Sequence, residues 1–423
     1  MASLRTLVIA ENLPYPTLKG GDLRAWQNVN GLMNVSEVGV FGLCSNDMRH
    51  AKIPRAGLAF WRSSTDPALI FPPPENRKLP SRAWFLDARG HPADVYYSDA
   101  AAAEIDQILL DFDPQIVVLE RLWLYRYLDC LKKRLNGRIV LDSYNVEGSL
   151  YRQIADSIVG DDLRTKLMRD ALPRRTEVIE KQAVEAVDQV WVCSDEDEEL
   201  MRLLYEPPTS IRVIPNGLDL QSYKAMQRNK DTGQHGVCST RKSIIFTATF
   251  GYLPNVRAAN FLLEEIFPRL LAGDSSYELL LVGTMPTPQM VAAAENNRRI
   301  IVTGTVADVR PYIAAASVMV VPLTEGGGTR YKILEAFAAR LPVVSTAVGA
   351  QGLKVKDGEH LLIAENAADF TAAIEQLVAD ARLATRLTER AFELLKEQYS
   401  WEFINRNIER AIAALGFTRG ETD

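Results

Sequence analysis

The fold is decided by residues 320–346, which read Val320-Val-Pro-Leu-Thr-Glu-Gly-Gly-Gly-Thr-Arg-Tyr-Lys-Ile-Leu-Glu-Ala-Phe-Ala-Ala-Arg-Leu-Pro-Val-Val-Ser-Thr346. The pattern predicts a buried strand, a glycine loop at Gly326–Thr329, an amphipathic helix and a second buried strand. A strand, a helix and another strand in this order are typical of a parallel sheet covered by helices. We therefore expect an α/β fold. The glycine loop, which joins the first strand of this segment to its helix, is the candidate ligand site.

The glycine loop ends where the predicted helix begins, so it lies beside backbone N–H groups that have no partner within the helix. Such a helix N-terminus attracts anions, phosphate above all. Arg330 and Lys332 add two cations in the first turn, where the helix dipole disfavours them unless an anion lies opposite. Glu335, farther along, is suited to accept from a sugar or ribose hydroxyl. The alternative is a tight strand-to-helix turn without a ligand.

The bulk composition limits the class of protein. A chain of 423 residues exceeds one ordinary hydrophobic core, so we expect two domains. Hydrophobic and charged contents of 47% and 24% are typical of a soluble globular protein, and a net charge of −6 argues against a nucleic-acid partner. No apolar run has the length of a membrane span, and the N-terminus enters a strand without a secretory pattern. These features predict a cytoplasmic protein.

Cysteines and histidines are few and widely separated, at Cys44, Cys130, Cys193, Cys238, His50, His91, His235 and His360. None of them has the spacing of metal ligands. We therefore expect reduced thiols and no bound metal.

Strand and helix patterns alternate in both halves of the chain. Residues 4–10 form the first predicted strand, and Lys19-Gly20-Gly21-Asp22 opens the helix after it. Residues 50–92 are predicted to be irregular, and 148–187 to be one long helical stretch. Residues 224–242 have the composition of a linker, after which the alternation resumes. Two βα units joined by a linker predict two parallel sheets with a cleft between them, and such sheets bind ligands at the carboxyl ends of their strands.

Several segments resemble motifs of family 4 glycosyltransferases. Residues Ile211–Asp219 are similar to the strand and turn that close their N-terminal domain, and Phe250–Asn260 to the first turn of their C-terminal domain. Residues Leu334–Thr346 resemble their donor-binding helix and the strand after it. Turns at 304–306 and 357–358 also match. The resemblance extends over nearly the whole chain and is poorest at residues 50–95.

The resemblance implies a GT-B fold, with two Rossmann-like domains facing a central cleft and a C-terminal helix that crosses back to the first domain. The acceptor domain is then 1–223 with 401–423, the linker 224–242, and the donor domain 243–400. The implied reaction is a retaining transfer from a UDP-sugar or GDP-sugar, without metal or cofactor. A glycan, a lipid-linked molecule or a small molecule would be the acceptor, in bacterial polysaccharide or glycoconjugate synthesis.

Two departures from the family pattern affect the donor site. The family carries two glutamates eight positions apart; Glu335 matches the second, whereas Gly327 stands in place of the first and Glu325 lies two residues away from that place. The family also carries an Arg and a Lys after the first strand of its C-terminal domain, where this chain has only Arg257. We therefore expect Arg330 and Lys332 to supply the positive charge for the diphosphate.

The predicted catalytic residues are Arg330, Lys332 and Tyr144, the last in a place where many relatives carry a histidine. Asn145 and Glu147 are predicted to touch acceptor hydroxyls; the alternative for both is a helix cap. Glycines of the first loop suit close backbone approach to the donor. The predicted donor-binding residues are Gly20, Gly21, Gly251, Thr303, Gly304, Gly326, Gly327, Gly328, Thr329 and Glu335.

Rival functions are a non-catalytic GT-B partner protein and a GT-B UDP-sugar epimerase. A dinucleotide-dependent dehydrogenase is disfavoured because residues 12–22 lack Gly-x-Gly-x-x-Gly. The segment Trp123–Tyr127, followed by basic residues at 132–134, suits peripheral contact with the cytoplasmic face of a membrane. We favour the alternative that this segment is one more amphipathic helix.

Overall fold

The computed structural model describes residues 4–15, 17, 20–44, 57–66, 96–156, 160, 166–223, 242–327 and 330–417. The chain divides into two compact units, which are Met1–Pro215 with Ile404–Asp423 (unit 1) and Asn216–Phe403 (unit 2). Residues 216–223 and 401–403, which the sequence analysis assigned to the first domain, thus belong to unit 2. Residues 224–241 of the predicted linker lie outside the described residues, and Lys242 is already the first residue of a strand.

Unit 1 contains a sheet of seven described strands, all parallel, in the order β3-β2-β1-β4-β5-β6-β7. The strands are β1 (Arg5–Asn12), β2 (Glu37–Cys44), β3 (Leu58–Ser63), β4 (Ile116–Glu120), β5 (Arg138–Asp142), β6 (Gln189–Val192) and β7 (Ser210–Val213). The helices are α1 (Gly20–Leu32), α2 (Asp99–Phe112), α3 (Leu128–Arg134), α4 (Glu147–Asp156), α5 (Leu172–Ala186) and α6 (Asp195–Tyr205). Helix α16 (Trp401–Ala414) also belongs to unit 1, except for residues 401–403.

Continuous apolar runs explain why these strands are central. Leu7, Val8 and Ile9 are fully buried, as are Val117 and Val118 on the neighbouring strand β4. Strands of a parallel sheet are covered on both faces, so they need apolar residues without alternation.

Two expectations for unit 1 were wrong. Residues 58–63 form the edge strand β3 and are not irregular. Because this strand is only half-buried, it lacks the apolar run that marks the inner strands. The stretch 148–187 is not one helix, because α4 ends at Asp156 and a π-helical turn, Leu167–Ala171, precedes α5. Trp123 and Tyr127, in a 3₁₀ helix over Leu122–Tyr127, are buried, which favours a packed segment over a membrane-facing one.

Unit 2 contains a second sheet of six described parallel strands, in the order β10-β9-β8-β11-β12-β13. The strands are β8 (Lys242–Thr247), β9 (Tyr277–Val282), β10 (Ile300–Val302), β11 (Val318–Val321), β12 (Val343–Ser345) and β13 (Leu362–Ile363). The helices are α7 (Leu220–Tyr223), α8 (Leu253–Phe261), α9 (Phe267–Gly273), α10 (Pro288–Asn296), α11 (Arg310–Ala315), α12 (Tyr331–Ala338), α13 (Ala347–Ala350), α14 (Ala367–Ala379) and α15 (Ala381–Gln398). A π-helical turn at Leu262–Ile266 separates α8 from α9.

Each sheet has one point where the strand order reverses. In unit 1 the chain moves outward from β1 to β3 and then returns to place β4 on the other side of β1. In unit 2, β8 to β10 run outward and β11 returns to the other side of β8. Open parallel sheets bind ligands outside the carboxyl ends of the strands at such a point. The ends of β1 and β4, and those of β8 and β11, are therefore the places to search for sites.

In the part of the chain that the structure describes, no helix is long and apolar enough to cross a membrane.

Candidate functional site

The loop after β11 is held by Arg330, which stands at the N-cap position of α12. Its Nη1 donates to the carbonyl oxygen of Gly327 at 2.6 Å. Gly326 has a φ of 128°, which favours glycine, and a Cβ built there would lie 2.6 Å from Nη2 of Arg330. The backbone thus turns around the Arg330 head group directly before the helix. Gly328 and Thr329 lie outside the described residues.

Lys332 and Glu335 follow on α12 with pKa values displaced toward neutrality. Burial, reinforced by the nearby Arg330 cation, lowers the pKa of Lys332 to about 7, while Glu335 acts in the opposite direction. Burial raises the pKa of Glu335 to about 7, against the lowering effect of a hydrogen bond from Tyr223 and of the Lys332 charge. Both groups therefore change protonation near physiological pH, so charge on a ligand would shift them readily.

Elements around α12 fix these two side chains. Nζ of Lys332 donates to Oδ1 of Asn255 on α8 at 3.3 Å and lies 4.1 Å from the centre of the Phe246 ring. The hydroxyl of Tyr223 donates to Oε1 of Glu335 at 3.1 Å. The cation is thus directed toward β8 and the carboxylate toward α7, although the two residues are i, i+3 neighbours on the same helix.

Glu325, two residues from the place of the missing glutamate, is occupied by another partner. It is buried, and Nη1 of Arg257 donates to both of its carboxylate oxygens, at 2.7 and 2.8 Å. Arg257 is the one basic residue in the loop and first turn after β8. The ion pair therefore connects α8 to the loop after β11. It uses Arg257 and Glu325, the two groups that could have compensated for the departures from the family pattern.

The remaining predicted donor residues lie at the ends of β8 and β10. Oγ1 of Thr303 accepts from the backbone N–H of Gly283 at 3.3 Å and donates to the carbonyl of Gly304 at 2.8 Å. Gly304 has a φ of 66°, which favours glycine. A Cβ at Gly251 would lie 2.9 Å from the sulfur of Met285. The loops after β8, β9 and β10 are thus packed together at one edge of the unit 2 sheet.

At the corresponding edge of unit 1, Tyr144 belongs to a buried network of charged groups. Its hydroxyl lies 2.9 Å from Oε2 of Glu120 and 3.2 Å from the carbonyl oxygen of Gly21. Arg24 on α1 donates through Nε and Nη2 to the two oxygens of Asp142, at 2.8 and 2.5 Å. Asn28 donates to both Asp142 and Glu120. The predicted catalytic tyrosine is therefore anchored by acids at the ends of β4 and β5.

Glu120 and Asp142 are register partners on adjacent strands. Burial, and next the charge of Asp142, raise the pKa of Glu120 well above its usual range. The raised pKa favours the protonated form of Glu120, beside Asp142, which forms an ion pair with Arg24. Burial likewise raises the pKa of Tyr144, followed by the charge of Glu120.

The predicted acceptor residues lie at the start of α4. Asn145 donates to Oε1 of Glu147 at 3.2 Å. Glu147 is buried, and burial raises its pKa. Glu180 of α5 accepts from the backbone N–H groups of Glu147 and Gly148, both at 2.8 Å, and so caps the helix. Gly20 and Gly21 begin α1, and a Cβ at Gly21 would lie 3.3 Å from the Tyr144 ring.

Sequence reasoning missed a second ion pair in unit 1. Nη1 of Arg121 donates to both oxygens of Glu11, at 3.0 and 2.9 Å, and its guanidinium lies 5.1 Å from the centre of the Tyr144 ring. The available signal was that β1, β4 and β5 carry an acid at or next to their carboxyl ends, namely Glu11, Glu120 and Asp142. Among the described residues, no cluster of three or more His, Cys, Asp or Glu side chains is arranged to hold a metal.

Comparison with known proteins identifies the second unit. Residues 241–380 match the family model described as glycosyl transferases group 1. Unit 2 carries a glycosyl transferases group 1 domain. The domain contains Arg257, the loop after β11 and the whole of α12.

Curated relatives match parts of the chain. Over 100 residues it is 43% identical to the lipopolysaccharide core biosynthesis glycosyltransferase LpsE of Rhizobium meliloti (strain 1021), covering 23% of this chain and 29% of LpsE. Over 261 residues it is 26% identical to the D-inositol 3-phosphate glycosyltransferase of Geodermatophilus obscurus, covering 57% of this chain and 55% of that protein. The chain thus matches about half the length of the second relative and less of the first.

Solved structures match nearly the whole chain. Sucrose-phosphate synthase (tll1590) from Thermosynechococcus elongatus has a TM-score of 0.72 and 17% identity, covering 98% of this chain and 99% of that one. Anabaena Alr3699/HepE, solved in complex with UDP-glucose, has a TM-score of 0.66 and 12% identity, covering 97% and 99%. At this identity the likeness concerns the fold, and it confirms the predicted GT-B fold with two Rossmann-like domains.

Proposed function

We propose that this protein is a retaining glycosyltransferase that moves a hexose from a nucleoside-diphosphate sugar to a hydroxyl-bearing acceptor. One observation carries the proposal. The matched range 241–380 contains a glycine loop followed by a helix start with Arg330 at its N-cap position and Lys332 in its first turn, a combination suited to binding an anion. The glycosyltransferase names of the relatives, and UDP-glucose in the HepE structure, support it.

These residues would stabilise the leaving group of the reaction. As the bond between the sugar and the diphosphate breaks, negative charge accumulates on the diphosphate. Arg330 would meet that charge with a planar fork of donors, Lys332 with a point charge, and the start of α12 with backbone N–H groups. Contacts that strengthen as charge develops accelerate the reaction, whereas contacts that are equal throughout only increase binding.

Glu335 and Lys332 have opposite roles on the same helix. The Glu335 carboxylate would accept from ribose hydroxyls, with Tyr223 holding its other side. Lys332, with a pKa lowered to about 7 by burial, would become fully charged once the diphosphate is bound. The acceptor would attack on the same face of the sugar from which the diphosphate leaves, and the leaving phosphate would take the acceptor proton. This route needs no protein nucleophile.

The proposed acceptors are glycans, lipid-linked molecules or small molecules of bacterial glycoconjugate synthesis, and the proposed place of action is the cytoplasm. The names of the relatives support this range of acceptors. The rival functions of partner protein and epimerase receive no support from the comparisons.

A thermal-shift panel tests the proposal. UDP, GDP, ADP and TDP, each with its sugar conjugates, are added to the wild-type protein, to Arg330→Ala, and to a matched control, Arg298→Ala, whose side chain is exposed on the same unit. We expect one nucleotide family to stabilise the wild type and the control but not Arg330→Ala. Release of sugar from the stabilising conjugate, without added acceptor, then separates an enzyme from a binding partner. Stabilisation by none of the nucleotides contradicts the proposal.

A further inference from the structure

A small pocket lies at the carboxyl ends of β1 and β4, where the strand order of unit 1 reverses. It has a volume of about 20 Å³ and is lined by Glu11, Asn12, Asp22, Arg121 and Tyr144, among others. A volume of this size holds one water-sized group. The proposed mechanism uses neither Asn12 nor Arg121.

Two polar atoms of lining residues are unsatisfied. Oδ1 of Asn12 and Nε of Arg121 are buried and have no hydrogen-bond partner among the described residues. The first is an acceptor and the second is a donor. Buried polar groups are almost always paired, so an orphaned acceptor and an orphaned donor on two side chains that line one pocket call for an explanation. A hydroxyl both donates and accepts, so it has the chemistry to satisfy either group.

The Arg121 backbone is strained. Its φ of 88° with ψ of 151° is rarely adopted by residues other than glycine. The conformation is maintained by the hydrogen bond from its N–H to the carbonyl of Asp142 and by the ion pair with Glu11. Strain of this kind clusters at ligand sites, where it directs a side chain.

The charges at the pocket disfavour an anion. Among the described residues that line it, Arg121 is the one cation and already faces Glu11, while Asp22 and Glu120 are two further acidic side chains. Arg24, behind Tyr144, is neutralised by Asp142. A phosphate, with three acceptor oxygens and a charge near −2, would meet net negative charge there. An uncharged hydroxyl avoids this repulsion.

We infer that this pocket is a subsite for an uncharged hydroxyl of the acceptor, with Asn12 and Arg121 as its recognition residues, so that the acceptor carries no phosphate at this end. The inference rests on the proposed function and narrows its acceptor class. It assigns recognition to the ends of β1 and β4, in addition to Asn145 and Glu147 at the start of α4.

Saturation-transfer NMR on the full-length, nucleotide-bound protein tests this assignment. The probes are matched pairs: glucose and glucose 6-phosphate, mannose and mannose 6-phosphate, and myo-inositol and D-inositol 3-phosphate. We expect a signal from at least one neutral member, at least fivefold weaker from its phosphate, and lost in Asn12→Ala. Asn296→Ala, an exposed asparagine of unit 2, is the control and should leave the signal unchanged.

Asp22→Asn provides a second, less disruptive variant. Removal of its negative charge should at least double the relative signal of the phosphorylated members. Equal or stronger binding of phosphates by the wild type, no signal from any neutral member, or an unchanged signal in Asn12→Ala overturns the inference. Nucleotide affinity is measured on the same samples: its loss would refute the proposed function, whereas normal nucleotide binding with any overturning result refutes the subsite alone.

Discussion

At the edge of the unit 1 sheet, buried charged groups are paired with each other. At the edge of the unit 2 sheet, in contrast, Lys332 and Glu335 have pKa values of about 7. Arg24 and Asp142 are 1% and 0% exposed and form two hydrogen bonds with each other. Lys332 contacts an amide and an aromatic ring, and burial lowers its pKa to about 7. A charge that already has an oppositely charged partner in the folded protein stabilises the fold. A charge that burial makes unfavourable is stabilised most when an oppositely charged ligand binds.

The largest effect is expected from breaking the buried pair in unit 1. Asp142→Ala removes the carboxylate that the buried, charged Arg24 contacts through Nε and Nη2, and removes a partner of Asn28. We expect a loss of about 3–5 kcal/mol in the free energy of unfolding of unit 1. Denaturant unfolding, followed by tryptophan fluorescence, measures it.

The matched control for that loss is the double variant Arg24→Met/Asp142→Leu, which removes both charges. It should recover a large part of the stability, because an apolar pair of similar volume carries no desolvation cost. Equal stability of the single and double variants would show that Arg24 and Asp142 do not stabilise each other.

Second in size is the effect of Arg330→Ala on nucleotide affinity. Loss of a charged donor to the diphosphate is expected to cost about 2 kcal/mol, roughly 30-fold in Kd. Titration calorimetry measures the change, with Arg298→Ala as the control. Because Arg330 also holds the Gly327 carbonyl, Arg330→Lys should restore only part of the affinity. Equal Kd values for wild type and Arg330→Ala would remove Arg330 from the site.

Tyr223→Phe tests how Glu335 is tuned. The Tyr223 hydroxyl lowers the pKa of Glu335, so its removal moves that pKa above 7 and leaves the carboxyl more protonated at neutral pH. Nucleotide affinity at pH 7 should fall by about 1 kcal/mol, roughly fivefold, and recover as the pH rises. The ratio of wild-type to variant affinity between pH 5.5 and 8.5 is informative because titration of Lys332 affects both proteins. A ratio independent of pH would mean that Glu335 does not meet the ribose as a carboxylate.

The smallest expected effect is the number of protons that Lys332 takes up when the diphosphate binds. Its pKa of about 7 in the free protein means that the amine is mostly neutral at pH 8, and a bound diphosphate would raise that pKa. Binding should therefore take up about 0.9 protons at pH 8, where Glu335 is already mostly ionised and contributes little. Calorimetry in buffers of different ionisation enthalpy measures the uptake. Lys332→Met should abolish it, and an uptake that persists in the variant would assign the proton to another group.

The sequence was sufficient for the βα alternation and for the fold, because buried parallel strands have continuous apolar runs. It failed for β3, whose residues Leu58–Ser63 at the sheet edge are half-buried and carry no such run. It also failed for the pairing of charges. Arg24 and Asp142 are far apart in the chain and look like surface residues until the sheet brings them together, and the same holds for Arg257 and Glu325. Long-range electrostatic pairing depends on topology, which local patterns do not contain.

One measurement tests the central claim that the start of α12 holds a diphosphate. The nucleoside diphosphate that stabilises the protein and its monophosphate are titrated into the wild type and Arg330→Ala. We predict that the wild type binds the diphosphate at least about tenfold more tightly than the monophosphate, since a charge-assisted contact contributes about 1.5–3 kcal/mol, and that Arg330→Ala loses this difference while the monophosphate affinity changes little. Equal affinities for diphosphate and monophosphate in the wild type would contradict the account.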